Sequence, residues 1–152
     1  MELIGQLPPA RYQLVPKKDS PLNAREKTPD HRAPAATILV VEDDRAVRLL
    51  FTRVLQAAGY EVIACENGSA GLESARRNLD SLDAIVTDAR MPGMGGQRLI
   101  ARVRSLKPDL PAIVVSGNLI DGVADDTTVF LAKPVTPGTL TRELRRLLCD
   151  RM

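Results

Sequence analysis

The chain has 152 residues, 44% of them hydrophobic and 26% charged, which suits one soluble globular domain with some chain left over. A formal net charge of +2 is too small to imply a polyanionic partner, and no stretch has the length and apolarity of a signal sequence or a membrane span. Two cysteines, Cys65 and Cys149, fit no metal-ligand spacing and read as reduced thiols, so a cytoplasmic protein is expected.

Residues 1–36 hold six of the eleven prolines, six basic and four acidic residues, with little apolar periodicity. That composition cannot bury enough surface to offset chain entropy, so it reads as a disordered tail or linker, with LIGQLPPARYQLV as a conceivable docking segment. From residue 37 a regular pattern begins. Thr37–Val41 is a continuous apolar run, as expected of a strand covered on both faces. Val47, Leu50, Phe51, Val54, Leu55 and Ala58 follow at helical spacing, and Gly59 stands where a C-cap glycine belongs. Tyr60–Cys65 reads as the second strand, and a helix around Ser69–Asn78 turns Leu72, Ala75 and Leu79 inward.

Ala84–Thr87 is the third strand, and a helix around Gln97–Ser105 is expected to bury Leu99, Ile100, Val103 and Leu106. Pro108 and Pro111 mark the turn into a fourth strand, Ala112–Val115, and Val129–Ala132 is the fifth. Thr136-Pro137 opens a last helix as N-cap and first-turn proline, with Leu140, Leu144, Leu147 and Leu148 inward. The last helix ends at Cys149, leaving 150–152 as a short C-terminal end. Short strands alternating with helices predict an α/β fold, a doubly wound five-stranded parallel sheet of flavodoxin-like order 2-1-3-4-5. In such sheets ligands gather beyond the carboxyl ends of the strands.

That edge is where the chemistry collects. Glu42 and Asp43 follow strand 1, Asp88 follows strand 3, Ser116 follows strand 4 and Lys133 follows strand 5. Side-by-side carboxylates repel one another and need a positive partner. Hard oxygen donors of this kind suit Mg²⁺. Asp88 then serves as a carboxylate nucleophile toward a phosphoryl group, Lys133 as a point charge and Ser116 as a hydrogen-bond donor to the product. Each residue also has an ordinary use: a lone aspartate after a strand caps a helix, and Lys-Pro or Ser-Gly makes a turn. The signal lies in four of them at four strand ends.

With VVEDD, DARMPG, VVSG and FLAKP in place, the stretch from about Thr37 to Cys149 resembles the receiver domain of two-component response regulators. The resemblance implies that Glu42 and Asp43 bind Mg²⁺ with Asp88 and the backbone carbonyl of Arg90, and that Asp88 is phosphorylated. It implies Ser116 as the switch hydroxyl, Lys133 as the family's lysine and Phe130 as the switch aromatic, though plain core packing explains Phe130 equally well. It further implies a histidine kinase or histidine phosphotransfer protein as phosphoryl donor, a downstream protein target, and no enzymatic role beyond assisting its own phosphorylation and dephosphorylation. Neither nucleic acid nor membrane is expected as a partner.

Two features depart from the family pattern. Residues 117–128, GNLIDGVADDTT, leave room for at most a turn or two of a fourth crossover helix, and their composition disfavours even that. Gly95-Gly96 predicts a mobile turn with no chemical part. Arg142, Arg145 and Arg146 make a basic face on the last helix, which reads as solvated or protein-docking in the absence of any helix-turn-helix region. The expected protein is a stand-alone receiver behind a tail; a C-terminal receiver of a hybrid histidine kinase and a pseudo-receiver that only binds are the alternatives. A phosphatase using an aspartyl-phosphate needs a second acid two residues after the nucleophile, and Arg90 stands there instead.

Overall fold

The structure, a computed structural model, describes residues 35–118 and 124–150. The expectation of a tail over 1–36 therefore lies outside the described residues apart from its last two. Of these, Ala36 packs against the core and its carbonyl accepts the Glu61 N–H at 2.9 Å, so the packed unit starts at least one residue before the expected boundary.

Five strands form the sheet: β1 (Thr37–Val41), β2 (Glu61–Cys65), β3 (Leu82–Asp88), β4 (Ala112–Ser116) and β5 (Thr128–Ala132). All pairings are parallel and the order is β2-β1-β3-β4-β5, as expected. Four helices are described: α1 (Arg45–Ala57), α2 (Gly68–Arg77), α3 (Gly96–Arg104) and α4 (Pro137–Cys149). The two-residue alternation of the strands divides the core between the two faces. Ile38, Val40, Ala84, Val86, Ile113 and Val115 meet Phe51 and Leu55 of α1 and Leu140, Leu144 and Leu147 of α4. Leu39, Val41 and Ile85 point the other way, onto Leu72 and Ala75 of α2 and Leu99 and Val103 of α3. Each such leucine or isoleucine withdrawn from water contributes about 1.5–3 kcal/mol, and both faces of β1, β3 and β4 contribute at once.

Among the described residues no helix separates β4 from β5. Residues 119–123, part of the 117–128 stretch expected to hold a short, frayed or absent helix, lie outside them, and 124–127 form a bend held by Asp125, whose Oδ1 accepts from the N–H groups of Thr127 and Thr128 at 2.8 Å each.

Helix ends follow local chemistry. Gly59, at φ +101°, closes α1 in the left-handed region that only glycine enters freely. The Thr136 hydroxyl accepts from Thr139 N–H at 3.1 Å, with Pro137 in the first turn, as the sequence predicts. Three expected core positions are corrected. Leu50 is 46% exposed, because the buried line of α1 runs through Phe51 and Leu55 and Leu50 falls at the outer edge of the stripe. Ala58 is exposed as the C-cap residue. Leu106 is 45% exposed, because α3 ends at Arg104 and helical spacing no longer governs where its side chain goes. Leu79 and Leu148 are half-buried. Both cysteines are free thiols, Cys65 buried and Cys149 exposed, and no described helix is long and apolar enough to cross a membrane.

Candidate functional site

The carboxyl edge of the sheet begins with the turn from β1 into α1. Glu42 extends the β1–β2 ladder by one residue, its N–H donating to the Cys65 carbonyl at 3.1 Å. Its side chain is 1% exposed. Oε2 accepts the Asp44 N–H at 3.1 Å, while Oε1, also buried, accepts no hydrogen bond. Asp44, last of the three neighbouring acids, is accounted for locally: its Oδ1 accepts from Ala46 N–H at 2.9 Å and Val47 N–H at 3.1 Å, making it the N-cap of α1. Capping by Asp44 leaves Asp43 for the pocket.

Asp88 is the last residue of β3 and is buried. Its position is tied to β4 by register, opposite Val115, and by the Ala89 N–H donating to the Val115 carbonyl at 2.9 Å. Oxygens of Glu42, Asp43 and Asp88 all lie within 4.8 Å of one another. Lys133, just past β5, reaches this group: its Nζ is 3.2 Å from Asp88 Oδ1 and 3.5 Å from Glu42 Oε1. The second distance is an ion pair rather than a good hydrogen bond, which agrees with the unsatisfied Oε1. The Lys133 N–H donates to the Ser116 carbonyl at 2.9 Å, and the Lys133–Pro134 peptide is cis.

The electrostatics follow from burial. Desolvation chiefly, with the Asp88 charge adding to it and the Asp44 N–H and Lys133 opposing, pushes the Glu42 carboxyl up to about 7. Burial pulls the Lys133 ammonium down, but its hydrogen bond to Asp88 and the charges of Glu42 and Asp88 outweigh this and hold it above its usual value. One cation facing three carboxylates does not neutralise them. A buried carboxylate oxygen that accepts no hydrogen bond, beside two further carboxylates, all hard donors, fits a small divalent cation such as Mg²⁺.

Ser116 is buried at the end of β4. Its hydroxyl donates to the Asn118 carbonyl at 2.9 Å and accepts the Asn118 N–H at 3.0 Å, so it is engaged in its own turn. Phe130 is half-buried on β5, packed with Ala89 against Ile100, Ala112 and Val114. It lines a cleft of about 200 Å³ with Arg104 and Asp125. Arg90, two residues beyond Asp88, is exposed.

The glycine pair after this strand is not the mobile turn expected of it. Gly96 is buried, its N–H donates to the Ala89 carbonyl at 3.0 Å, and a Cβ there would collide with the Asp88 carbonyl oxygen. A Cβ on Gly95 would stand 2.8 Å from the Ala89 carbonyl. The pair lets α3 start hard against the backbone that carries Asp88.

A family model described as the response regulator receiver domain matches residues 38–145. The chain belongs to the response regulator receiver domain family. Among curated proteins it is 34% identical over 138 residues to the sensor kinase CckA of Brucella abortus, covering 86% of this chain and 15% of that protein. It is 31% identical over 117 residues to the C4-dicarboxylate transport transcriptional regulatory protein DctD of Rhizobium meliloti, covering 74% of this chain and 25% of that one. The chain thus spans a quarter or less of these two relatives. Among solved structures, the receiver domain of the hybrid histidine kinase CckA matches with a TM-score of 0.66 at 33% identity, over 74% of this chain and 98% of that one. A response regulator receiver protein from Sinorhizobium medicae matches with a TM-score of 0.70 at 29% identity, over 78% and 98%.

This receiver domain therefore brings Glu42, Asp43, Asp88 and Lys133 into direct contact range, with Ser116 joined to Lys133 through the backbone. One residue at the site escaped sequence reasoning. The Arg48 guanidinium, from the first turn of α1, donates to the Glu42 carbonyl at 2.7 Å. The only sequence signal is a basic residue on the helix face that follows the acid run.

Proposed function

We propose that Asp88 accepts a phosphoryl group from a histidine kinase or a histidine phosphotransfer protein, and that the acyl-phosphate changes which proteins the domain binds. The observation that carries this is Lys133 Nζ lying 3.2 Å from a buried Asp88 in the midst of two further carboxylates. An Asp88 oxygen forms a bond to phosphorus as the donor's phosphorus–nitrogen bond breaks, and the histidine imidazole leaves with the electron pair. Lys133 is already at hydrogen-bond distance from Asp88 and stays as counter-charge to the phosphoryl oxygens. Ser116 exchanges its bond to the Asn118 carbonyl for one to the phosphoryl group, and Phe130, beside the cleft on β5, shifts with it. Glu42, Asp43, Asp88 and the Arg90 carbonyl would hold Mg²⁺, which supplies charge neutralisation for carboxylates and phosphoryl oxygens. The same groups would assist hydrolysis of the acyl-phosphate. We place the domain in the cytoplasm, behind a linker formed by residues 1–34.

A second reading is favoured by the likeness to CckA, a sensor kinase in one comparison and a hybrid histidine kinase receiver in the other. In it the domain works within a hybrid kinase relay, with the same chemistry at Asp88. Intact-protein mass after incubation with Mg²⁺ and acetyl phosphate tests the common core. Wild type should gain one phosphoryl group, Asp88→Ala none, and wild type in EDTA none. An unmodified wild type in Mg²⁺ would leave a binding module that does not accept phosphate.

A further inference from the structure

We propose that Arg48 is a positioning residue for the acid site: its guanidinium fixes the peptide bearing Glu42 and Asp43, and the site's affinity for a divalent cation depends on it. The inference rests on reading Glu42, Asp43 and Asp88 as a cation site.

The ladder pairs of β1 with β2 and β3 stop at Val41. Glu42 still donates its N–H to Cys65, but its carbonyl lies past the last pair, and Arg48 Nη1 donates to that carbonyl at 2.7 Å. Charged donors make short, strong bonds of this kind. Arg48 is itself anchored, since its N–H donates to the Asp44 carbonyl at 2.9 Å inside α1. The acid-bearing turn is thus closed from the helix side by Arg48 on Glu42 and by the Asp44 cap, and from the strand side by Cys65. Arg45 and Arg53, on the same helix, are exposed, whereas Arg48 is half-buried against this turn.

Charge and geometry predict opposite signs here. A guanidinium beside a cation site repels the cation, so on charge alone its removal tightens binding. Loss of positioning weakens binding, because three carboxylates held within 4.8 Å by a fixed turn become a mobile set that must be ordered by the ion.

The test is Mn²⁺ titration of the full chain, followed by the electron spin resonance signal of the free ion. It uses wild type, Arg48→Met, Arg48→Lys and Lys107→Met. The last is a control of comparable severity away from the site, because Lys107 Nζ donates to the Leu79 and Leu82 carbonyls at 2.8 and 2.6 Å at the start of β3. We expect Arg48→Met to weaken Mn²⁺ binding about tenfold, Arg48→Lys to recover part of it, and Lys107→Met to stay within about twofold of wild type. In cation-free protein, amide exchange of Asp44, whose N–H is held by Glu42, should also quicken several-fold in Arg48→Met. Equal or tighter Mn²⁺ binding by Arg48→Met, or an equal loss in Lys107→Met, overturns the role of Arg48. A wild type that binds no Mn²⁺ overturns the cation site itself, and the exchange measurement separates that failure from an idle Arg48.

Discussion

Two glycines in first turns of helices make a matched pair for testing how the site is built. Gly96 opens α3 and Gly138 lies in the first turn of α4. A methyl group at Gly138 meets nothing within 4 Å, so Gly138→Ala should be neutral or stabilise by up to about 1 kcal/mol through chain entropy and helix propensity. A methyl group at Gly96 collides with the Asp88 carbonyl and comes within 2.9 Å of Thr87 Cγ2 and 3.0 Å of Thr87 Oγ1. All three of these atoms belong to strand backbone or to a buried β-branched side chain, which cannot swing away. Overpacking of this kind costs about 1–3 kcal/mol, and the same propensity gain offsets at most about 1. Gly96→Ala should therefore destabilise by about 1–2 kcal/mol, or roughly 4–8 °C in Tm, where Gly138→Ala raises Tm or leaves it alone. Urea unfolding at pH 7 followed by circular dichroism measures both. Because the colliding oxygen belongs to Asp88, phosphoryl uptake from acetyl phosphate should also fall in Gly96→Ala. Equal stability of the two variants would refute the claim that α3 is seated against the Asp88 peptide.

Arg104 donates to the Leu110 carbonyl at 3.0 and 2.7 Å and to the Thr127 carbonyl at 3.0 Å, joining α3 to the chain entering β4 and β5. Arg104→Met should cost about 1.5–3 kcal/mol in urea unfolding, and Arg104→Lys should restore only part, because the planar fork is lost. Asp125 is held below its usual value of 3.8, first by the Thr127 N–H, with slight burial opposing and further bonds from Thr127 and Thr128 assisting. A carboxylate with a depressed folded value stabilises above the unfolded value and loses that contribution as pH falls through the folded one. Asp125→Ala should thus be less stable than wild type at pH 7, and the gap should narrow as pH falls below about 4. Lys133→Met removes the cation that stands 3.2 Å from Asp88 and 3.5 Å from Glu42. Mg²⁺ affinity by calorimetry should rise several-fold while phosphoryl uptake drops, and a fall in both would count against direct competition between Lys133 and the cation.

The alternation of apolar strands with amphipathic helices is legible residue by residue. Burial on both faces requires the continuous runs at Thr37–Val41 and Ala112–Ser116, and parallel crossovers require the spacing between them. Once that topology is read, polar residues at the strand ends must share one edge, so Glu42, Asp43, Asp88, Ser116 and Lys133 form a candidate site before any distance is known. Helix caps are equally local, as Gly59 and Thr136 show. Tertiary structure decided what depends on neighbours remote in sequence or on the reach of a side chain. It assigned Asp44 to the cap of α1 and left Asp43 with the pocket. It brought Arg48 back onto Glu42 and turned the glycine pair from a loose hinge into a close contact with Asp88. It also left Leu50 and Leu106 in water. Periodicity states which face of an element is apolar, but how far the opposing sheet extends, and which carbonyl stands where a Cβ would go, are properties of the packed chain.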